Sequence, residues 1–258
     1  MSLESRIRER LDDRRILLMG HLVVGHPSLE ANWRMLELMA EAGVDLVELQ
    51  LPFSEPMADG PAFVRANQQA LERGTTREDY FNLFARAARA FPYPCLFMGY
   101  YNAVFRLGHA VFCDRLGQAG GAGFILPDLP VEEYGDLFAQ ADAHQLAPIL
   151  LMAPTNTEAH LAALGARARG FVYAVARKGV TGKQTSLDAE IGTFLGRCRQ
   201  VTSLPLGVGF GLRRGADLRA LHGLAEIGIV GSALLAAWET GGESGYRALL
   251  TELAAARN

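Results

Sequence analysis

The chain has 258 residues, 50% of them hydrophobic and 21% charged, with a formal net charge of −3 at neutral pH. That length can bury one large core, and the composition excludes a disordered chain. The mixed, nearly balanced charge argues against nucleic acid or an anionic membrane as partner, and no apolar run approaches the roughly 20 residues a membrane helix needs.

The first dozen residues read as a charged helix without the apolar centre of a signal peptide, which leads to the expectation of a cytoplasmic protein. Ile16 to Val24 reads as the first strand and Leu29 to Ala42, opened by Pro27-Ser28, as an amphipathic helix. Val44 to Leu49 is the second strand. Its alternating apolar residues are interrupted by Asp45 and Glu48, and it opens into a turn-rich stretch carrying Glu55 and Asp59. Helical segments follow at Ala62 to Arg73 and Thr76 to Ala90. Then come the strand Tyr93 to Gly99, the helix Ala110 to Ala119, the strand Gly123 to Leu126 and the helix Val131 to His144. Ala147 to Met152 and Gly170 to Val175 read as strands five and six, separated by the helix Glu158 to Ala168. A Gly- and Lys-containing loop, Arg177 to Ser186, leads into the helix Asp188 to Val201. Pro205 to Val208, the helix Arg213 to His222, Ile227 to Val230 and helical sequence from Ala233 onward complete the series.

Eight strand–helix units with mostly short connections point to a (β/α)₈ TIM barrel with an extra N-terminal helix. A doubly wound sheet is the alternative, because alternation alone does not establish closure. No linker, repeat or low-complexity tract divides the chain, so residues 1–258 are expected to form a single domain. Cys95, Cys113 and Cys198 match neither a disulfide framework nor a zinc spacing and read as core residues. No HxxxH or HxH pair exists among the histidines, so no metal site is expected.

The two long connections, Leu51 to Pro61 and Arg177 to Ser186, fall on the face where barrels carry their active sites. A carboxylate in a buried strand is costly unless paired or used, so Glu48 is either a salt-bridged structural acid or a general acid/base with Asp59 aimed at the same cleft. Three glycine-rich turns follow strands six, seven and eight: Gly179-Val180-Thr181-Gly182, Gly207-Val208-Gly209-Phe210-Gly211 and Gly231-Ser232. Each could serve a tight turn alone. Together, at consecutive strand ends, they suit a phosphate held by backbone amides and the Ser232 hydroxyl, with Lys178 or Lys183 available to screen it.

The stretch Glu48-Leu49-Gln50-Leu51-Pro52-Phe53-Ser54-Glu55-Pro56-Met57-Ala58-Asp59-Gly60-Pro61 resembles the signature motif of the tryptophan synthase alpha subunit family. The resemblance continues at Tyr100-Tyr101-Asn102, Pro127-Asp128-Leu129-Pro130, Gly179 to Gly182, Gly209-Phe210-Gly211 and Gly231-Ser232-Ala233, in the family's order. It implies a lyase that cleaves indole-3-glycerol phosphate to indole and glyceraldehyde 3-phosphate by a retro-aldol reaction. Glu48 matches the family's acid/base and Asp59 the anion that faces the ring N–H. Tyr173 and Tyr100 match pocket residues, and Gly182, Gly211, Gly231 and Ser232 match the phosphate turns. The resemblance also implies no cofactor in this chain, with pyridoxal phosphate carried by a beta subunit that docks in an α₂β₂ assembly on the loops bearing Glu55, Asn102 and Asp128. A free-standing indole producer and a noncatalytic regulatory subunit are the alternatives.

Departures fall at His21, Val23 and His26, where the family usually has an aromatic residue, threonine and aspartate, and at Gln50, where glycine is usual. Glu55 stands for aspartate and Phe63-Val64 for Ile-Gln. Neither histidine is read as an added catalyst, although His21 at a substrate-facing strand end is a candidate for altered specificity.

Overall fold

The computed structural model describes residues 1–175, 189–209 and 211–258. Eight parallel strands close into a barrel in chain order: β1 Leu17–Val23, β2 Leu46–Gln50, β3 Cys95–Met98, β4 Gly123–Ile125, β5 Ala147–Met152, β6 Val172–Val175, β7 Leu206–Gly209 and β8 Ile227–Val230. Around them lie α1 Leu3–Leu11, α2 Leu29–Glu41, α3 Pro61–Glu72, α4 Arg77–Ala90, α5 Tyr101–Leu107, α6 His109–Gln118, α7 Leu137–Ala143, α8 Glu158–Arg167, α9 Ala189–Val201, α10 Gly215–Arg219 and α11 Ser232–Ala255. The closed barrel settles the choice left open by alternation.

The period of two along each strand sorts side chains between two cores. Leu17, Met19, Leu46, Leu96, Met98, Ile125, Ile149, Ile227 and Ile229 fill the barrel interior. Their neighbours in sequence, such as Leu18, Leu22, Val47, Leu49, Phe97 and Phe124, face the helical layer. The same rule sends His21, Glu48 and Gln50 inward, and register pairs His21 with Glu48 across β1 and β2. Helix α1, capped by the Ser2 hydroxyl accepting from Ser5 N–H at 3.1 Å, closes the N-terminal end with Leu3 and Ile7.

Asp45 lies at that closed end, fully buried, where its carboxylate accepts from Leu18 N–H at 2.9 Å and from Arg257 at 3.0 Å, with Arg10 and Arg14 on its other oxygen. The salt-bridged structural acid of the second strand is therefore Asp45.

Three local differences from the sequence reading have physical causes. The helix expected over Val131 to His144 is a 3₁₀ turn, Val131–Glu133, followed by α7, because Gly135 interrupts it at φ +51°. Gly108 at φ +82° separates α6 from α5, a helix absent from the sequence reading. The helix after β7 contracts to Gly215–Arg219, where Asp217 accepts from the N–H groups of Arg213 and Arg214 at 2.8 and 3.1 Å.

Candidate active site

At the C-terminal end of the barrel a cavity of about 360 Å³ is lined by Glu48, Asp59, Tyr173, Gly211, Gly231 and Ser232. Sequence positions up to 184 residues apart (232 − 48) thus converge on one space. Met98, Ile125, Leu151 and Ile229 supply its apolar wall. Beside Glu48, Met98 lines the cavity. Leu22 and Leu126 face the helices, and Leu46 lies deeper in the barrel, as the alternation along each strand requires.

Glu48 is 2% exposed. Its Oε1 is 2.7 Å from His21 Nδ1, and its Oε2 is buried with no hydrogen-bond partner among the described residues. One oxygen is anchored while the other is free for a ligand. His21 Nε2 lies 2.9 Å from Gln50 Oε1, and Gln50 Nε2 donates to Asp59 Oδ2 at 2.6 Å. Burial opposes a charged imidazole at His21, but the charge and hydrogen bond of Glu48, with Asp59 and Gln50 behind them, outweigh it and raise its pKa. Burial also raises the Asp59 pKa, against the opposing effects of Gln50, His21 and Tyr100. Tyr173 sits across the cavity as a neutral phenol, its pKa pushed well up by burial and then by the two carboxylates.

The loop carrying Asp59 is tied down at several points. Leu51 N–H donates to Met98 O at 2.9 Å, Phe53 N–H to Asn67 Oδ1 at 2.9 Å, and Ala58 N–H to the Tyr100 hydroxyl at 3.0 Å. Tyr100 stacks on Phe53 with centroids 5.1 Å apart, and its hydroxyl favours the charged form of Asp59. Tyr100 does not itself line the cavity; it is 1% exposed and braces the loop from behind.

On the wall formed by the end of β8, Gly231 precedes the first turn of α11 at Ser232, whose N–H groups have no intrahelical acceptor and offer an anion site. Gly211, at φ +93°, brings its backbone to the same wall. Gly182, with Lys178 and Lys183, lies outside the described residues. Arg65 and Arg213 also line the cavity, two cations the sequence reading did not single out because neither belongs to a recognisable motif. His21 was legible as an unusual residue, but its bond to Glu48 depends on strand register. His26 is 5% exposed and lies outside this cavity. Among the described residues no cluster of His, Cys, Asp and Glu could hold a metal ion, and no helix is long and apolar enough to cross a membrane.

The sequence profile of the family described as "Tryptophan synthase alpha chain" matches residues 8–257. The tryptophan synthase alpha chain of Syntrophotalea carbinolica is 44% identical over 251 residues, covering 97% of this chain and 99% of the relative. A tryptophan synthase structure from Mycobacterium tuberculosis superposes with a TM-score of 0.91 at 35% identity, covering 99% of this chain and 97% of that one. A chain from the tryptophan synthase complex of Pyrococcus furiosus superposes at 0.84 with 25% identity, covering 92% and 97%.

Proposed function

The chain belongs to the tryptophan synthase alpha chain family, and we propose that its cavity performs the family's cleavage of indole-3-glycerol phosphate with Glu48 as acid/base and Asp59 as the anion at the indole N–H. The observation that carries this assignment of roles is the free Oε2 of Glu48 in a cavity shared with Asp59 and with the N-terminus of α11.

The chemistry follows from the positions. The phosphate seats on the amides of Gly211, Gly231 and Ser232, with the guanidinium groups of Arg65 and Arg213 adding positive charge. The indole lies along Met98, Ile125 and Leu151. Glu48 delivers a proton to indole C3, and the positive charge that develops on the ring is stabilised at its N–H by the Asp59 carboxylate. Glu48, now ionised, takes the proton from the adjacent glycerol hydroxyl. The carbon–carbon bond breaks, its electron pair restores the aromatic indole, and the hydroxyl carbon becomes the aldehyde of glyceraldehyde 3-phosphate. The net proton movement is from hydroxyl to C3, so one carboxyl completes the cycle. These steps call on no cofactor in this chain.

The family works with a beta subunit. We read the exposed Glu55, Asn102 and Pro130 as the docking loops of an α₂β₂ assembly in which the partner carries pyridoxal phosphate. Met57 beside Glu55 and Phe105 on α5, 78% and 68% exposed, supply apolar area near them. Incubating the protein with indole-3-glycerol phosphate, alone and with a beta subunit, and following indole tests the reading. Release is expected in both cases, faster with the partner, and Glu48→Gln should reduce it by about 10²–10⁴-fold. A folded protein that releases no indole, or a Glu48→Gln variant of near-normal kcat, would overturn it.

A further inference from the structure

The two acids of the cavity are joined by other side chains. From Glu48 Oε1 a chain of hydrogen bonds runs to His21 Nδ1, from His21 Nε2 to Gln50 Oε1, and from Gln50 Nε2 to Asp59 Oδ2, at 2.7, 2.9 and 2.6 Å. Strand geometry creates it. Glu48 and Gln50 are i and i+2 on β2, so both face inward, and His21 on β1 stands in register with Glu48. We propose that His21 and Gln50 form a bridge that ties Glu48 to Asp59, so that the charge on one imidazole decides whether both acids are held in working position. The proposal rests on the catalytic reading of those two acids.

Donor and acceptor bookkeeping supports it. Gln50 has one acceptor oxygen and one donor nitrogen on its amide, and an ionised Asp59 accepts only. With the amide nitrogen on Asp59, its oxygen must face His21, and an oxygen there requires a proton on Nε2. Glu48 Oε1 requires a second proton on Nδ1. An Oε1 that accepts at one end, with the catalytic proton carried by the free Oε2, and an ionised Asp59 at the other therefore demand a doubly protonated imidazolium in the middle. Its ring is further fixed by Phe63, with centroids 4.4 Å apart. Loss of the Nε2 proton leaves a lone pair facing the Gln50 oxygen. The amide must then turn over, which presents its oxygen to Asp59 and replaces attraction with repulsion. His21 is thus a positioning residue: it fixes one oxygen of Glu48 so that the other faces the substrate, and through Gln50 it latches the Asp59 loop.

The pH consequence has a definite sign. Below its raised pKa His21 is charged and the latch is closed; as pH rises through that value, above 6.5, the latch opens. Among the described residues, the other charged or titratable groups facing this space are Glu48 and Asp59 around β2, Tyr173 on β6, Arg65 on α3 and Arg213 after β7. The Tyr173 pKa lies well above its ordinary range. His26, packed behind His21 with Glu239 of α11 near its ring, has a lowered pKa. Neither shares the upward shift from the ordinary histidine range that His21 shows.

Two measurements test the bridge. Nitrogen NMR of the free protein, without substrate, should show both ring nitrogens of His21 protonated at pH 6 to 6.5 and a single deprotonation at a pKa above 6.5. A neutral ring with one protonated nitrogen below pH 6.5 would overturn the proposal. In turnover, wild-type kcat should fall on the alkaline side to a plateau about tenfold lower once His21 is deprotonated. That limb should vanish in His21→Phe, which keeps an aromatic ring against Phe63. At neutral pH His21→Phe and Gln50→Leu should each lower kcat about tenfold with little change in KM, and the double variant should lose about tenfold in total rather than a hundredfold. Additive losses, or the same alkaline limb in His21→Phe, would overturn it. If the wild type releases no indole, the catalytic reading fails while the NMR result still decides whether the bridge exists.

Discussion

Asp59 is held where its charge is useful and where that charge costs stability. Burial raises its carboxyl pKa despite Gln50 and His21, so the folded protein holds the Asp59 proton more tightly than the unfolded chain. Such a carboxyl leaves the fold undisturbed below both pKa values and weakens it as pH rises from the unfolded value through the folded one. Asp59→Asn should therefore raise the melting temperature at pH 7, with the gain disappearing in acid, while kcat falls by about 10²–10³-fold through loss of the anion at the indole N–H. Thermal melts across pH, paired with indole assays, check both halves; a lower melting temperature at pH 7 would contradict the electrostatic account. Glu48 and Asp59 were legible in the sequence because the motif holding them is local, eleven residues apart (59 − 48). The bond from His21 to Glu48 was not legible, because it joins two strands whose register no single sequence displays.

Among the elements, β7 shows how a glycine pattern can carry two meanings. Gly207, Gly209 and Gly211 read together as an anion-binding turn, yet only Gly211 lines the cavity. An added Cβ on Gly209 would lie 2.4 Å from the Tyr173 hydroxyl, and one on Gly207 would lie 2.9 Å from the Phe171 ring. Those two glycines make room inside the barrel for aromatic side chains of the neighbouring strand. Gly209→Ala should accordingly push Tyr173 into the cavity, destabilise the fold by about 1–3 kcal/mol and raise KM. Denaturant melts and steady-state kinetics would show this, and unchanged stability would mean that the ring has another place to go. The same limit applies to α5 and to the break at Gly135: a glycine's effect on a helix depends on its backbone angle, which composition does not reveal. Strand positions, by contrast, were readable, since apolar runs bounded by turn residues mark buried parallel strands directly.

Across the whole molecule, stability and chemistry occupy opposite ends of the barrel. The N-terminal end is shut by α1 and by Asp45 amid three arginines, whereas the C-terminal end opens into the cavity through the Asp59 loop and the start of α11. Two residues of β2, Leu46 and Val47, lie between Asp45 and Glu48, about 10 Å of strand, and over that distance a carboxylate passes from sealed ion pair to free oxygen. The eight-unit rhythm of the sequence foretold this division, because a barrel's long strand-to-helix loops all gather on one face. The central claim is that the acids and the anion cradle grip the two ends of one substrate. A crystal structure of the Glu48→Gln variant bound to indole-3-glycerol phosphate tests it most directly. The phosphate should rest on the amides of Gly211, Gly231 and Ser232, with the indole N–H facing Asp59 and indole C3 facing residue 48. A phosphate seated away from the start of α11, or an indole turned so that its N–H points away from Asp59, would contradict it.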